Sequence, residues 1–437
     1  MASMCGAKSV VKAVTLTSAA IAIVAAFLPI AKAAPASTPA ASALYDEAYP
    51  IYAEFCAATR IEKKPGFGLP VKGGIGGHGV IYLQGACRDK SSPYPRIQVC
   101  RDLDRAAGMT GVGVSVNSDF VNVNWIATES KSFFLTGDVP ENEPLSRQAY
   151  LKARQKAVEM QLLKGVKFHP ELLRKKLPGM SDEEYMLEET IGTDYAINFG
   201  RSLYCSRIPV SEEMLGSMVK YLNGLNEKYY HSGNPYNWSG ISDNCTHTTR
   251  NALAAADVWK QALTNRFILQ QLFNIAAPSN NFVELVRRGN DLALDDPMAI
   301  YRDPIARKAV LENHWLPTQH GALIESVPIH RDNQVFKEFS KIEFLAVPGI
   351  SPYRARFKKM MTESRYHDLR ANLLWFIERY QHALDSRRSV DELVAFEANV
   401  NPGIDEKDFA AFYQSYYATL ANQLDDATMK LALLGIE

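Results

Sequence analysis

The 437 residues carry 48 basic and 48 acidic side chains, and 47% of them are hydrophobic and 10% aromatic. That is enough apolar material for a sizeable core and, at about 150 residues per domain, for two or three structural units. Charges balance without segregated blocks, which excludes a strongly basic nucleic-acid binder and an acidic disordered tail, and a single continuous apolar stretch excludes a multi-span membrane protein.

That stretch opens the chain. Lys8 and Lys12 precede a mostly apolar run from Ala13 to Leu28, and Ala31-Lys32-Ala33 supplies a small-x-small pattern. The run is shorter than the ~20 residues a bilayer span needs, so it predicts a cleaved secretory signal over residues 1–33. Cys5 lies before the run, which argues against a lipoprotein cleavage site. The expected location is secreted or periplasmic, with no stable membrane span after cleavage. Residues 34–43, rich in Ala, Pro and Ser, are expected to form a flexible leader.

From Leu44 to Thr59 the apolar positions Tyr45, Tyr49, Tyr52, Phe55 and Cys56 approach helical spacing and predict a short helix. A glycine-rich loop, Gly73-Gly74-Ile75-Gly76-Gly77, then leads into a strand over His78–Leu83. Arg96–Cys100 reads as another strand, and Gly111–Ala127 alternates Val112, Val114, Val116, Val121 and Val123 against small or polar residues, as antiparallel strands do. Leu145–Glu189 is helical in composition and interrupted at Pro170 and Pro178, because proline lacks the amide a helix interior needs. Ser211 ahead of Glu212 and Glu213 marks a helix N-cap with acids in the first turn. After a loop with Gly233, Pro235 and Gly240, a further helix begins near Cys245. From Gln261 onward the chain reads as mostly helical, notably Tyr366–Asp385 and Asp405–Leu434, with a strand-like interval over Leu323–Val347. No internal repeat is visible.

Five cysteines follow the signal: Cys56, Cys87, Cys100, Cys205 and Cys245. In an oxidising compartment four can pair and one stays free. Cys87 and Cys100 flank a short Ser- and Pro-containing segment and suit a stapled hairpin; Cys56 with Cys205 then follows by elimination. The alternative is that all five are thiols, or that one pairs between chains.

The leftover thiol carries the chemistry. Asp243-Asn244-Cys245-Thr246-His247 places Cys245 at a helix start, where the dipole and unpaired amides favour thiolate over thiol. His78 opens its strand in Gly76-Gly77-His78-Gly79-Val80. An imidazole beside such a sulfur can stabilise the thiolate and protonate a leaving group, and the Cys245 amide can hold an oxyanion.

Histidine on a strand followed much later by Asn-Cys at a helix start resembles the circularly permuted papain-like cysteine hydrolases, which are related to bacterial cell-wall cysteine peptidases and to lecithin:retinol acyltransferases. The likeness spans about residues 70–260, and Asn244-Cys245-Thr246-His247 is similar to the Asn-Cys-Glu-His run of the acyltransferases, departing at Thr246. It implies an α+β fold in which an antiparallel sheet packs on a nucleophile-bearing helix, with a helical insertion and a mostly helical C-terminal region. The implied division is a catalytic domain over 44–260, with the insertion at about 145–200, and a C-terminal region over 261–437. The family also carries a polar residue that orients the imidazole from the next strand. Gln98 is the first candidate and Asn117 the second.

Competing motifs are weaker. Gly74-Ile75-Gly76-Gly77-His78-Gly79 satisfies a dinucleotide-loop string but leads into a strand rather than a helix. Cys245 and His247, two apart on a helix, point to different sides and suit no metal; His247 is expected to cap, pack or line the groove. His320 is the imidazole to reconsider should His78 prove remote from Cys245. Asn244, Tyr236 and Trp238 are the expected substrate contacts, and no cofactor or metal is expected. The favoured function is hydrolysis of an amide bond, in a peptide or cell-wall peptide, through an acyl-enzyme on Cys245 with His78 as base and acid. The alternatives are a lipid acyl hydrolase or acyltransferase, and a non-catalytic envelope-binding protein.

Overall fold

A computed structural model describes residues 39–69, 77–102, 104, 108, 110–240, 243–262, 277–344, 352–398 and 404–435. The segment expected to be a secretory signal and the glycine-rich run up to Gly76 lie outside these residues.

Its framework is a six-stranded sheet in the order β6-β5-β2-β1-β7-β8. The strands are β1 (Tyr52–Ala58), β2 (His78–Gln84), β5 (Gly111–Val116), β6 (Trp125–Glu129), β7 (Leu203–Pro209) and β8 (Leu323–Val327), and every neighbouring pair is antiparallel. A separate hairpin pairs β3 (Ala86–Arg88) with β4 (Ile97–Val99). The fold is therefore α+β.

Strand β1 is the hinge of the sequence comparison. The helix expected over Leu44–Thr59 ends early, as α1 (Pro39–Ala48), and the chain turns at Pro50 into a central strand. Every residue of β1 is buried, so the two-residue alternation that would betray a strand is absent, as in any strand covered on both faces. α1 also begins inside the stretch expected to be a flexible leader.

One face of the sheet presents Phe55, Ile81, Leu83, Val112 and Val114 to the main core. It is covered by α6 (Glu212–His231), α7 (Cys245–Ala255) and α8 (Pro278–Asn290). The other face presents Tyr52, Cys56, Val80 and Tyr82. It is covered by α1 and by α2 (Lys131–Thr136), whose Phe134 ring sits where a Cβ on Gly113 would lie, 2.1 Å from Cγ. Three buried charges and one half-buried one, Lys131, meet on this second face. Arg207 pairs with Glu54 across the β1–β7 ladder at 3.0 Å and with Glu325, and Lys131 reaches both carboxylates at 2.6 and 2.7 Å. Two cations on two anions leave no net charge in the group.

The insertion expected near 145–200 contains α3 (Arg147–Glu159), α4 (Pro170–Leu173) and α5 (Asp182–Thr190), broken near the two prolines as anticipated. Beyond α8 come α9 (Pro297–Arg302), α10 (Pro304–Asn313), α11 (Tyr353–Met360), α12 (Leu369–Asp385), α13 (Val390–Ala398) and α14 (Glu406–Leu433). α9, α10, α12 and α14 build a second core around Tyr301, Phe376, Phe409, Phe412 and Tyr416. The division expected at residues 260–261 does not bound the sheet, because β8, from the later region, supplies its outer strand beside β7. Among the described residues no helix is long and apolar enough to cross a membrane.

Cys56 faces Cys205 across the β1–β7 ladder with sulfurs 2.12 Å apart, and Cys87 and Cys100 close the hairpin at 1.98 Å. Cys245 is the free cysteine among the described residues. Iodoacetamide under denaturing, non-reducing conditions should therefore modify Cys245 and none of the other four, a result peptide mass mapping checks directly. In a thermal melt, Gly113→Ala should cost about 1–3 kcal/mol, because the new methyl group and the buried Phe134 ring compete for one volume.

Candidate active site

The first turn of α7 is built by its cap. Asn244 is extended (φ −119°, ψ 178°), and its Oδ1 accepts from the amides of Thr246 at 2.9 Å and His247 at 3.1 Å. His247 answers through Nδ1, which accepts from the Asn244 amide at 3.4 Å. This is a reciprocal capping box with an imidazole at the third helical position, the place usually held by Glu or Gln. The cap leaves the Cys245 amide uncommitted among the described residues.

Cys245 is 8% exposed and lies against the beginning of β2. Its Sγ accepts from the Gly79 amide at 3.4 Å, with the Thr246 hydroxyl 3.9 Å away. Gly79 permits this approach, since a Cβ there would press on Thr246 Oγ1 at 3.3 Å and on the Phe55 ring at 3.5 Å. The β2–β5 ladder runs only from Ile81↔Val114 to Gln84↔Gly111, so the first residues of β2 have no partner on that side. Covalent geometry then puts the Cα of His78 within about 6 Å of the sulfur.

The sequence predicts a thiol held below its ordinary pKa; the structure reverses the sign. Burial pushes the Cys245 thiol up, and the Gly79 amide, the Thr246 hydroxyl and amide, and the Arg201 charge pull against it without prevailing. The resting group is a neutral thiol.

His78, half-buried, opens β2 opposite Ala58. Alternation turns its side chain to the Val80–Tyr82 side, whereas Gly79 faces α7. Among the described residues its imidazole bonds not to the sulfur but, through Nε2, to Ser115 Oγ at 2.9 Å. Ser115 donates to Asp194 Oδ1 at 2.7 Å, while Asn117 and Thr193 donate to Asp194 Oδ2 at 2.6 and 2.8 Å. Burial raises the Asp194 carboxyl to about 6 despite these three donors. Burial and the Arg201 charge lower His78 to about 3. Arg201, 2% exposed, is tied to backbone carbonyls: Nε and Nη2 donate to Gly192 O at 3.2 and 2.8 Å, and Nη1 to Thr59 O at 3.4 Å. Burial brings its pKa down to about 10, against the pull of the Asp194 carboxylate and of Cys245 when ionised.

Other expected residues fall elsewhere. Gln98 lies on β4 opposite Cys87 with its amide directed to Asp104 at 3.4 Å, and the imidazole's partner is Ser115 instead. Asn117, the second candidate, does join the network, on the far carboxylate oxygen. Asn244 spends its side chain on the cap and on Gly240 O at 2.9 Å, leaving little for a substrate. Tyr236 is wholly buried beneath the loop, its ring edge-on to Tyr229. Trp238, 45% exposed, is the expected contact that faces solvent. His320 is far from this corner in its bonding, shared between Tyr49 at 2.6 Å and Asp426 at 3.2 Å. Ser115, Asp194 and Arg201 were not anticipated. Ser115 leaves one trace, a polar residue inside a valine-rich strand. Asp194 and Arg201 leave none. The described cluster with metal-ligand spacing, Glu54 with Cys56 and Cys205, has both sulfurs committed to a disulfide.

No protein-family model matches the chain, and neither the curated proteins nor the solved structures contain a match.

Two of the shifted groups, His78 and Asp194, make opposite contributions to stability. His78 stays neutral in the fold down to about 3 but takes a proton near 6.5 when unfolded, so stability is lost as pH falls from about 6.5 toward 3. Asp194 keeps its proton up to about 6 rather than 3.8, so stability is lost as pH rises from about 4 to 6. In urea titrations, Asp194→Asn should gain on the wild type by up to about 3 kcal/mol between pH 4 and 6. Parallel stability curves for the two proteins would remove Asp194 as the cause.

Proposed function

We propose that the protein is a secreted or periplasmic thiol hydrolase that cleaves an amide bond, in a peptide or a cell-wall peptide, through an acyl-enzyme on Cys245. The observation that carries this reading is the free thiol at a helix start, donated to by the backbone amide that follows His78. A sulfur buried at such a junction, with an uncommitted helix amide beside it, suits covalent catalysis better than packing alone. The likeness to permuted papain-like hydrolases points the same way.

In this reaction the Cys245 proton passes to His78 Nδ1 as sulfur bonds to the carbonyl carbon. The displaced electron pair rests on oxygen, which accepts from the Cys245 amide. The imidazolium proton goes to the departing amine as the C–N bond breaks. Water then gives a proton to the imidazole, attacks the thioester, and returns the acid and the thiol. For the first transfer Nδ1 must reach the sulfur while Nε2 keeps its Ser115 bond, a tilt of the ring toward the edge of β2, since strand alternation turns the side chain the other way. That transfer starts from a neutral thiol and a neutral imidazole and is uphill in the resting site, where burial raises the one and lowers the other.

One feature favours a second reading, a non-catalytic envelope-binding protein: the ring bonds to Ser115 and not to the sulfur. Incubation with peptidoglycan fragments and, in parallel, phospholipid vesicles, followed by mass analysis, separates the readings. Cys245→Ala should abolish any turnover together with iodoacetamide labelling of the native protein. His78→Ala should slow turnover by about 10²–10⁴, the usual worth of a general base. Native labelling that survives Cys245→Ala, or no product from either substrate class, would defeat the hydrolase reading.

A further inference from the structure

The polar chain behind His78 has a directionality that the Cys–His pair alone does not supply. An ionised Asp194 can only accept. Its Oδ2 faces the amide of Asn117, which can only donate there, and the Thr193 hydroxyl. Its Oδ1 takes the one proton of Ser115, whose oxygen then has only lone pairs left for the imidazole. His78 must therefore carry its proton on Nε2, and Nδ1 is left as the basic nitrogen. With a proton on Asp194 Oδ1 the order reverses: the carboxyl donates to Ser115, Ser115 donates to Nε2, and the ring holds its proton on Nδ1. That ring offers no lone pair to a thiol.

We infer that Asp194, acting through the Ser115 hydroxyl, sets which nitrogen of His78 bears the proton and thereby whether Cys245 has a base. Ser115 and Asp194 are positioning residues here, and the inference rests on the reading of His78 as that base. Both are fully buried, so no water competes for the hydroxyl that joins them. The groups that face the carboxyl are Ser115, Asn117 and Thr193 by hydrogen bonds, Asp119 as a like charge, the neutral Tyr195 phenol, and the Arg201 guanidinium as the opposing charge. A carboxyl that keeps its proton up to about 6 places the reversal just below neutrality. The site would be armed in a neutral medium and disarmed in a mildly acidic one.

Two readouts test this on the full chain. The first is the rate of Cys245 alkylation by iodoacetamide, in which a sulfur–carbon bond forms, iodide leaves and the thiol proton goes to the base. The second is the tautomer of His78 by nitrogen-15 NMR, assigned with His78→Gln. In the wild type the ring proton should move from Nε2 to Nδ1 as pH falls through about 6. Asp194→Asn is the decisive variant. Asn117 and Thr193 require an acceptor at the Oδ2 position, so the new amide turns its NH₂ toward Ser115 and copies the protonated carboxyl at every pH. It should hold the Nδ1–H tautomer at neutral pH and slow alkylation about tenfold or more, with the pH dependence near 6 gone. Ser115→Ala should also slow alkylation, and Ser115→Thr, which keeps the hydroxyl, should restore it. A folded Asp194→Asn protein that retains the Nε2–H tautomer and the wild-type pH profile overturns the inference. The underlying reading fails separately: if His78→Ala alkylates like the wild type, His78 is not the base, whatever its tautomer. If His78→Ala slows alkylation and Asp194→Asn does not, the dyad stands and the relay falls. Should Ser115→Ala not fold, the wild-type tautomer titration decides alone, since it needs no substitution.

Discussion

Everything at the corner of the sheet depends on how closely the first turn of α7 rests on the first residues of β2. The contact is a backbone amide, Gly79 N–H, donating to the Cys245 sulfur at 3.4 Å. It exists because Asn244 ends the preceding loop so that Cys245 becomes the first helical residue, and because position 79, without a side chain, avoids the tight 3.3 Å contact a Cβ would make with Thr246 Oγ1. Once these two conditions hold, His78 is brought near the sulfur by covalent connection rather than by its own side chain. The imidazole remains free to make its bond to Ser115 on the other side of the strand.

Burial governs the charge state there. The thiol and the Asp194 carboxyl are pushed up, and the His78 imidazole and the Arg201 guanidinium are pushed down, each with burial as the largest cause. A helix N-terminus favours an anion by about 0.3–1 kcal/mol, up to about 2 when partly buried. Removing an ion from water costs several. The second effect wins, so the dipole argument made from the position of Cys245 alone has the right direction for its own contribution and the wrong sign for the sum.

The sheet around this corner is held by contacts distant in sequence. β1 pairs with β7, and the Cys56–Cys205 bridge closes a separation of 149 residues between directly opposed positions. On that same ladder Arg207 and Glu54 meet inside a group of two cations and two anions, of which all but Lys131 are buried. The later helices are anchored to the sheet side by a short loop. Its Gly321 carbonyl accepts from Tyr45 at 2.7 Å, and its His320 and Gly321 amides donate to Tyr380 and Asn372 at 3.0 and 2.8 Å. The second hydrophobic core is thus joined to the first by strand β8 and by this polar loop together.

How much was legible follows from the range of each interaction. Capping is local, so the starts of α6 at Ser211 and of α7 at Asn244 could be read from a few residues. Valine alternation exposed β5, and cysteine spacing with simple elimination led to the two observed pairs and to Cys245 as the free thiol. Strand β1 could not be read, because burial on both faces erases the period of two. Gln98 lies on the next strand in chain order, as the resemblance implies, but the strand beside β2 in the sheet is β5, so the imidazole's partners come from positions 37 residues away at Ser115 and, through it, a further 79 at Asp194. Which cysteine begins α7 and which histidine begins β2 could be read from a few residues on either side, since both rest on neighbouring side chains and amides. Only the tertiary structure decided the protonation of those groups and the direction in which the ring points, because desolvation and hydrogen-bond direction depend on what surrounds a residue in space.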